Sequence, residues 1–223
     1  MSMRSIKEAT SYKKAIEIIP EKMVDRGIYF LQRTLVDLFA SSEDFSLIPI
    51  DRGGKQVGLA LAHSQSGTVY ERNPMRMSYY DKHNRPLKKP RCIKEPSIAK
   101  LLKGDGITTK DVVFAEAVVD SQGTIKGSME YINHKIDLYN KKHKTNYPYP
   151  NYHTLALVGK VEDDIQIPGL VYAYKVHKNI WVHGKGCDNR QRGRRSKSIM
   201  GVLATGAVDI PRRPYYHKSP MWQ

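Results

Sequence analysis

The chain has 223 residues and a formal net charge of +15, with 37 lysines and arginines against 22 aspartates and glutamates. Its composition, 40% hydrophobic and 26% charged, is that of a globular protein long enough to bury a full core. No segment approaches the roughly 20 apolar residues of a membrane span, no apolar signal segment is recognised at the start, and two cysteines supply neither a disulfide framework nor a zinc ligand set. We therefore expect a soluble, cytoplasmic protein whose cationic excess favours an anionic partner.

The first third of the chain predicts alternating helices and strands. Apolar residues recur at helical spacing between residues 20 and 42. A short apolar run at residues 47–50 predicts a strand, the glycines at 53–54 a turn, and the small residues at 57–62 a helix. Another short strand is expected at residues 68–71.

The middle of the chain contains a cationic segment and a buried strand. The segment KHNRPLKKPRCIKEP has three prolines and six cations, which predict a mobile loop, and SIAKLLKGDGITTKD predicts a short helix and a turn. The sequence DVVFAEAVV is apolar enough for a strand buried on both faces of a parallel sheet.

A long helix and three more strands are expected after it. The helix covers GTIKGSMEYINHKIDLYNKKHKTN, and the strands cover TLALVGKV, GLVYAYKV and NIWVHGKG, before a turn-rich tail. Strands that alternate with helices predict an α/β fold with a mainly parallel twisted sheet flanked by helices.

The turn after the buried strand is the first candidate site. In open parallel sheets ligands bind beyond the carboxyl ends of the strands, and residues 120–124 (DSQGT) lie at such an end, ahead of a helix. Backbone N–H groups of a tight loop and of a helix start can bind phosphate, and Ser121 and Thr124 add hydroxyl donors, while Gly123 permits close approach. The stretch has neither the dinucleotide fingerprint nor the nucleotide P-loop. An ordinary capped turn fits the same residues equally well.

The same stretch resembles the signature of the type I phosphoribosyltransferases, which bind 5-phosphoribosyl 1-diphosphate with it. The resemblance implies that Asp120 is the general base and that the donor's ribose and 5-phosphate are held by Glu116, Asp120, Ser121, Gln122, Gly123 and Thr124. Ala117 departs from the pattern, because the family has a second acid there that meets the ribose hydroxyls or a Mg²⁺ ion. Losing one hydrogen bond to a charged group costs about 1.5–3 kcal/mol, which would weaken the reaction without forbidding it.

Two earlier stretches resemble other parts of this family. LIPIDRGG is similar to the turn that meets the diphosphate, which implies contacts from Arg52 and Gly53. RMSYYD is similar to the start of the catalytic loop, with Ser78 and Tyr79 at its Ser-Tyr pair. The resemblance implies that a loop from Arg76 to about Pro96 closes over the site and excludes water.

The C-terminal part resembles the 6-oxopurine branch, the hypoxanthine-guanine phosphoribosyltransferases. The matching positions, in chain order, are Lys160, Trp181, Val182, Gly184, Asp188 and Arg194. The resemblance implies that Lys160 donates to the purine 6-oxygen, Trp181 stacks on the ring and Val182 reads its edge through the backbone. Asp188 and Glu116 would hold Mg²⁺, and Arg194 would pair with the diphosphate.

The resemblance covers about residues 46–205 and implies a purine-salvage enzyme. We expect a helical segment at 1–45, a phosphoribosyltransferase core at 46–176, and a small hood with the tail at 177–223. The enzyme would join phosphoribosyl to hypoxanthine, guanine or xanthine with Mg²⁺, as a homodimer or homotetramer, and residues around 140–153 would be an insertion. Ala117 and the positive charge motivate a second hypothesis, a catalytically weak regulator that senses nucleotide and binds nucleic acid.

Overall fold

The computed structural model describes residues 16–39, 45–63, 69–70, 75–80, 86–96, 102–103, 106–107, 111–120, 122–160, 167, 169–177, 180–183 and 198–203. In chain order the elements are β1 (Ile16–Ile19), α1 (Glu21–Phe39), β2 (Phe45–Pro49), α2 (Asp51–Ala62), β3 (Val69–Tyr70), β4 (Arg76–Tyr80), β5 (Pro86–Lys94), β6 (Leu102–Lys103), β7 (Gly106–Ile107), β8 (Asp111–Val119), α3 (Gln122–His143), β9 (Asn151–Gly159), β10 (Leu170–Lys175), β11 (Ile180–His183) and β12 (Ile199–Leu203).

A five-stranded parallel sheet forms the centre of the molecule. Its order is β10-β9-β8-β2-β3, and each neighbouring pair runs parallel. β2 is buried throughout, β9 is buried along its second half, and β8 is buried at six of its nine residues, since helices cover both faces of the sheet. The predicted α/β class with a mainly parallel sheet is confirmed.

Helices α1 and α2 cover one face of this sheet. Val24, Leu31 and Leu35 recur at helical spacing on α1 and are fully buried in a core shared with Val113 and Leu157 of the sheet. The Pro20 carbonyl accepts the N–H groups of Met23 and Val24, which starts the helix.

Helix α3 covers the other face. Its buried residues Ile125, Ile132 and Ile136 pack in a second core with Phe114 and Tyr172 from the sheet. None of the described helices is both long and apolar enough to cross a bilayer.

A second, antiparallel sheet joins parts of the chain that are far apart in sequence. Its order is β1-β12-β11, with Ile16 opposite Gly201 and Val182 also opposite Gly201. The sequence predicted only helix in the first 45 residues and only turns in the tail, so β1 and β12 are strands that the sequence did not predict; we call this three-stranded sheet the hood. The domain bounds inferred from the sequence stay a prediction.

The cationic, proline-containing segment forms a strand rather than a loop. β5 pairs antiparallel with β4, and the expectation of an irregular loop over residues 86–94 is therefore wrong. Along β5 the side chains alternate: Pro90 and Cys92 face the core on the α3 side, while Lys89 and Arg91 are exposed. A two-stranded hairpin tolerates prolines at positions whose N–H group is not needed by a neighbouring strand.

The following segment also departs from the expected helix and turn. Residues 102–103 pair antiparallel with residues 106–107 as β6 and β7. Residues 97–101, at the start of that segment, lie outside the described part of the chain.

Candidate functional site

The carboxyl ends of β8 and β9 bring the two central predicted site residues together. Val119 and Gly159 are register partners, so Asp120 and Lys160 follow adjacent strand ends. The Lys160 ammonium lies 2.8 Å from the Asp120 carboxylate, and the Lys160 backbone N–H donates to the Val119 carbonyl. The lysine side chain is 6% exposed and the aspartate side chain 59% exposed. A buried cation is thus balanced by a carboxylate that faces solvent.

Close packing below Gly159 positions the lysine. A Cβ atom at Gly159 would lie 2.8 Å from the ring of Tyr172, which is buried in the α3-side core. Glycine therefore lets β9 lie against this ring directly before Lys160.

The start of α3 is the predicted phosphate site. The helix begins at Gln122, two residues after Asp120, and Gly123 and Thr124 are half-buried in its first turn. No acidic residue occupies that turn, so its free N–H groups and positive dipole end are available to an anion. The Ser128 hydroxyl donates to the Thr124 carbonyl, one turn further along the helix. Ser121 and the Gln122 side chain lie outside the described residues.

Positions 116 and 117, where the family's pattern has two acids, have different surroundings in this chain. Glu116 is partly exposed, and its carboxylate accepts the backbone N–H of Ala117 at 2.8 Å. Ala117 is 1% exposed and packs in the core beneath α1 and α2. The alanine therefore occupies a buried position that a carboxylate would enter only at the cost of its hydration.

The predicted diphosphate turn lies on the same edge of the sheet. The Ile50 N–H donates to the Ala115 carbonyl, and a Cβ atom at Gly54 would lie 2.2 Å from that same oxygen. Glycine is thus required where α2 begins against β8. Ile50 at the N-cap offers no side-chain hydrogen bond, which leaves the helix start around Gly53 open to an anion. The backbone of Arg52 belongs to this first turn, and its side chain lies outside the described residues.

The hairpin β4–β5 leaves the sheet at this edge. The Met75 N–H donates to the Pro49 carbonyl, and Ile50 and Met75 form a parallel bridge. Ser78 is half-buried on β4, and Tyr79 follows it on the same strand, with a side chain outside the described residues. The predicted Ser-Tyr pair thus belongs to a hairpin that begins beside the diphosphate turn.

A polar cluster joins the hairpin to α3, and the sequence reading missed it. Glu95, just after β5, accepts a hydrogen bond from the Tyr131 hydroxyl and an ion pair from Lys135, whose ammonium is 2.8 Å away. We call Glu95, Tyr131 and Lys135 the hairpin clamp. Hydrogen bonds from Lys135 and then Tyr131 lower the pKa of Glu95, while burial and then the bond to Glu95 raise the pKa of Tyr131 to about 12. The spacing of 131 and 135 on one helix face was the available signal.

The remaining predicted residues are only partly described. Trp181 is the register partner of Val202 in the hood, with a side chain outside the described residues, and Val182 is buried. Asp188 and Arg194 lie outside the described residues, as does Gly184. Within the described ranges, no three His, Cys, Asp or Glu side chains are grouped as a metal site.

Comparisons with known proteins agree with this architecture. No protein-family model matches the sequence, and the search of curated proteins finds no match. Among solved structures, a hypoxanthine-guanine phosphoribosyltransferase from Bacillus anthracis superposes with a TM-score of 0.58 at 16% identity, covering 84% of this chain and 97% of that one. The hypoxanthine phosphoribosyltransferase from Trypanosoma cruzi, solved as a ternary substrates complex, gives 0.62 at 18% identity over 86% and 97%.

A third structure, a hypoxanthine phosphoribosyltransferase from Staphylococcus aureus, gives a TM-score of 0.56 at 18% identity over 91% of this chain and 96% of that one. These matches cover 84–91% of this chain, and their fold agrees with the resemblance carried by the short motifs. The chain therefore has the fold of the type I phosphoribosyltransferases, in the form found in hypoxanthine-guanine phosphoribosyltransferases.

Proposed function

We propose that this protein transfers 5-phosphoribosyl from 5-phosphoribosyl 1-diphosphate to a 6-oxopurine base. The observation that carries the proposal is the Lys160–Asp120 pair, which stands at the carboxyl edge of the sheet beside the open start of α3. A cationic donor and an anionic acceptor at this spacing match the 6-oxygen and the adjacent N7 proton of a 6-oxopurine.

The donor would lie across the two helix starts. The 5-phosphate binds at Gly123 and Thr124, with Ser121 and Gln122 as further contacts, and Glu116 faces the ribose. The diphosphate binds at the start of α2, where Arg52 and Gly53 are proposed contacts.

The base would engage the ion pair directly. Lys160 donates to the 6-oxygen, and Asp120 takes or shares the N7 proton as N9 attacks the anomeric carbon, while the bond to diphosphate breaks. Trp181 stacks on the ring, and the Val182 backbone reads its edge. Adenine would point its 6-amino donor at the Lys160 ammonium, so two donors would face each other and adenine should be rejected.

Mg²⁺ is proposed as the cofactor, held by Glu116 and Asp188. Mg²⁺ in such sites keeps one or two carboxylates and takes its other ligands from water and substrate phosphates, so a three-residue cluster is not needed. When bound, the ion offsets charge on the departing diphosphate. Arg194 adds a second positive charge there.

The test is an assay of nucleotide formation with the donor, Mg²⁺ and each of hypoxanthine, guanine, xanthine and adenine. We expect product with at least one 6-oxopurine and none with adenine. Asp120→Asn should lower kcat about 100-fold or more because the general base is lost. Asp25→Asn, which changes an exposed carboxylate on α1, is the matched control and should leave kcat unchanged.

The same assay also defines the result that would contradict the proposed transferase activity. Absence of product with every base would contradict the proposal. If it came with RNA or DNA binding that weakens steeply with salt, the regulator hypothesis would be favoured instead. Assembly as a homodimer or homotetramer stays a prediction.

A further inference from the structure

The β4–β5 hairpin lies between the two proposed anion-binding turns. Its start is bonded to the edge of the sheet through the bridge between Met75 and Ile50, directly before α2. Its second strand touches the first turns of α3, since a Cβ atom at Gly127 would lie 2.4 Å from Pro90. The hairpin thus contacts both the diphosphate side and the phosphate side of the site.

The hairpin has two distinct faces. Met77 and Cys92 are register partners, and both pack against the α3-side core. Ser78 and Arg91, the next register partners, therefore lie on the opposite face. Directly opposed residues of an antiparallel pair have Cβ atoms about 4.5–5.5 Å apart, so these two side chains act on the same small region of space.

We propose that Arg91 is a further donor-binding residue, which contacts the diphosphate from the hairpin beside Ser78. The inference rests on the proposed function and on the resemblance that places Ser78 in the catalytic loop, from which we expect Ser78 to lie near the bound donor. Whatever Ser78 touches is within reach of Arg91, whose side chain is longer and exposed. The guanidinium presents a planar fork that matches two phosphate oxygens, and exposed Lys89 on the same face adds positive charge.

Arg91→Gln removes the charge and the guanidinium fork while keeping a polar side chain. The KM for the diphosphate donor should rise about tenfold or more, as for loss of a hydrogen bond to a charged group. The KM for the purine should change by less than about twofold, because in the proposed arrangement the purine does not contact Arg91. Arg91→Lys should restore only part of the loss, since an ammonium cannot pair in a bidentate manner.

Product inhibition separates binding from a structural role. Inhibition by inorganic diphosphate with Mg²⁺ should weaken in parallel with donor binding, whereas inhibition by the nucleoside monophosphate should not, because that product lacks the diphosphate. Lys94→Gln, an exposed cation at the end of the same strand, is the matched control and should leave both unchanged. Thermal melting of each variant checks that the fold is kept.

The two proposals fail in different ways. If the wild type forms nucleotide and Arg91→Gln behaves like Lys94→Gln, the role of Arg91 is overturned and the enzyme remains. If the wild type forms no nucleotide, the proposed function is overturned. Calorimetric titration of inorganic diphosphate with Mg²⁺ then decides the inference alone: equal affinity in wild type and Arg91→Gln overturns it.

Discussion

Residue 117 lies where the acidic motif meets the core. Glu116 turns its carboxylate back onto the N–H of residue 117, and the Ala117 side chain packs among apolar side chains on the α1 and α2 face. In a strand, neighbouring side chains leave on opposite faces, so an acidic pair would have to place one member on this covered face. In this chain the small apolar side chain of Ala117 fits this covered face of β8 without burying a charge.

Ala117→Asp should therefore destabilise the protein rather than restore a ligand contact. A carboxylate placed in this core loses hydration, and we expect the free energy of unfolding to fall by about 1–3 kcal/mol near neutral pH. Denaturant unfolding measures this. The loss should shrink in acid, where the carboxyl becomes neutral.

Ala117→Asn is the control, since asparagine has the same shape as aspartate but carries no charge. If the aspartate variant is as stable as wild type and binds the donor much more tightly, the missing acid is a lesion, and our account of this residue is wrong.

The spacing of motifs predicted which residues stand at the sheet edge, but not how they contact one another. Asp120 and Lys160 each follow an apolar strand, and parallel register places such ends side by side. Their mutual ion pair depends on side-chain conformation and on the Tyr172 ring below Gly159. Those are non-local packing facts that a linear sequence does not display.

At the scale of elements, the hairpin clamp fixes one end of the β4–β5 hairpin to α3. Tyr131 and Lys135 lie one turn apart on the helix and reach the same Glu95 carboxylate. The Lys135 ammonium also lies 5.3 Å from the centre of the Tyr131 ring. The clamp holds the base of the hairpin, just after β5, against α3.

Glu95→Gln should weaken this attachment in a pH-dependent way. The folded-state pKa of Glu95 lies below its ordinary value of 4.5, so its contribution to stability is present above that pH and is lost as the pH falls through the lowered pKa. Near neutral pH we expect the variant to be less stable by under about 1 kcal/mol, because the pair is exposed to solvent. In strong acid the two proteins should converge.

Denaturant titrations across the acid range measure that difference. Glu130→Gln, an exposed glutamate on the same helix, is the control and should track the wild type. A stability difference between Glu95→Gln and wild type that is independent of pH would contradict the ionic role of the clamp.

Composition misled the prediction of this hairpin. Prolines and cations over residues 86–94 predicted an irregular loop, whereas the observed strand uses alternation, with Pro90 and Cys92 inward and Lys89 and Arg91 outward. The inward face of β5, with Pro90 and Cys92, is too weakly apolar to be identified as buried from the sequence. Its burial becomes clear only from the structure, in which Gly127 of α3 lies against Pro90. By contrast, β8 was predicted correctly because its apolar run is long enough to identify on its own.

At the scale of the whole molecule, the hood depends on a strand from the beginning of the described chain. β1 pairs with β12, and the Ile18 and Ile19 side chains enter the α1-side core. Four residues are too few to show a strand period, and the partner strand is also short. This explains why neither strand was predicted from the sequence.

Ile19→Ala should reduce the free energy of unfolding by about 2–5 kcal/mol, the range for truncating a buried isoleucine. Ile19 is 2% exposed, whereas Ile93 is 46% exposed, so Ile93→Ala provides a matched control expected to cost about 0.5 kcal/mol or less. Denaturant unfolding of both variants and the wild type under the same conditions measures the two losses in free energy of unfolding. Equal losses in the two variants would show that β1 is not integrated into the core.

The pairing of β1 with β12 also has a consequence during synthesis. β1 cannot pair with β12 until Gly201, the partner of Ile16, has left the ribosome. By contrast, β2, β8 and β9 can pair as soon as residue 159 has emerged. Contacts this distant close late, so the nascent protein passes through a stage in which the parallel sheet exists and the first strand is still without its neighbour. Its isoleucines are then accessible to chaperones, and the small antiparallel sheet is the last part of the described structure to be completed.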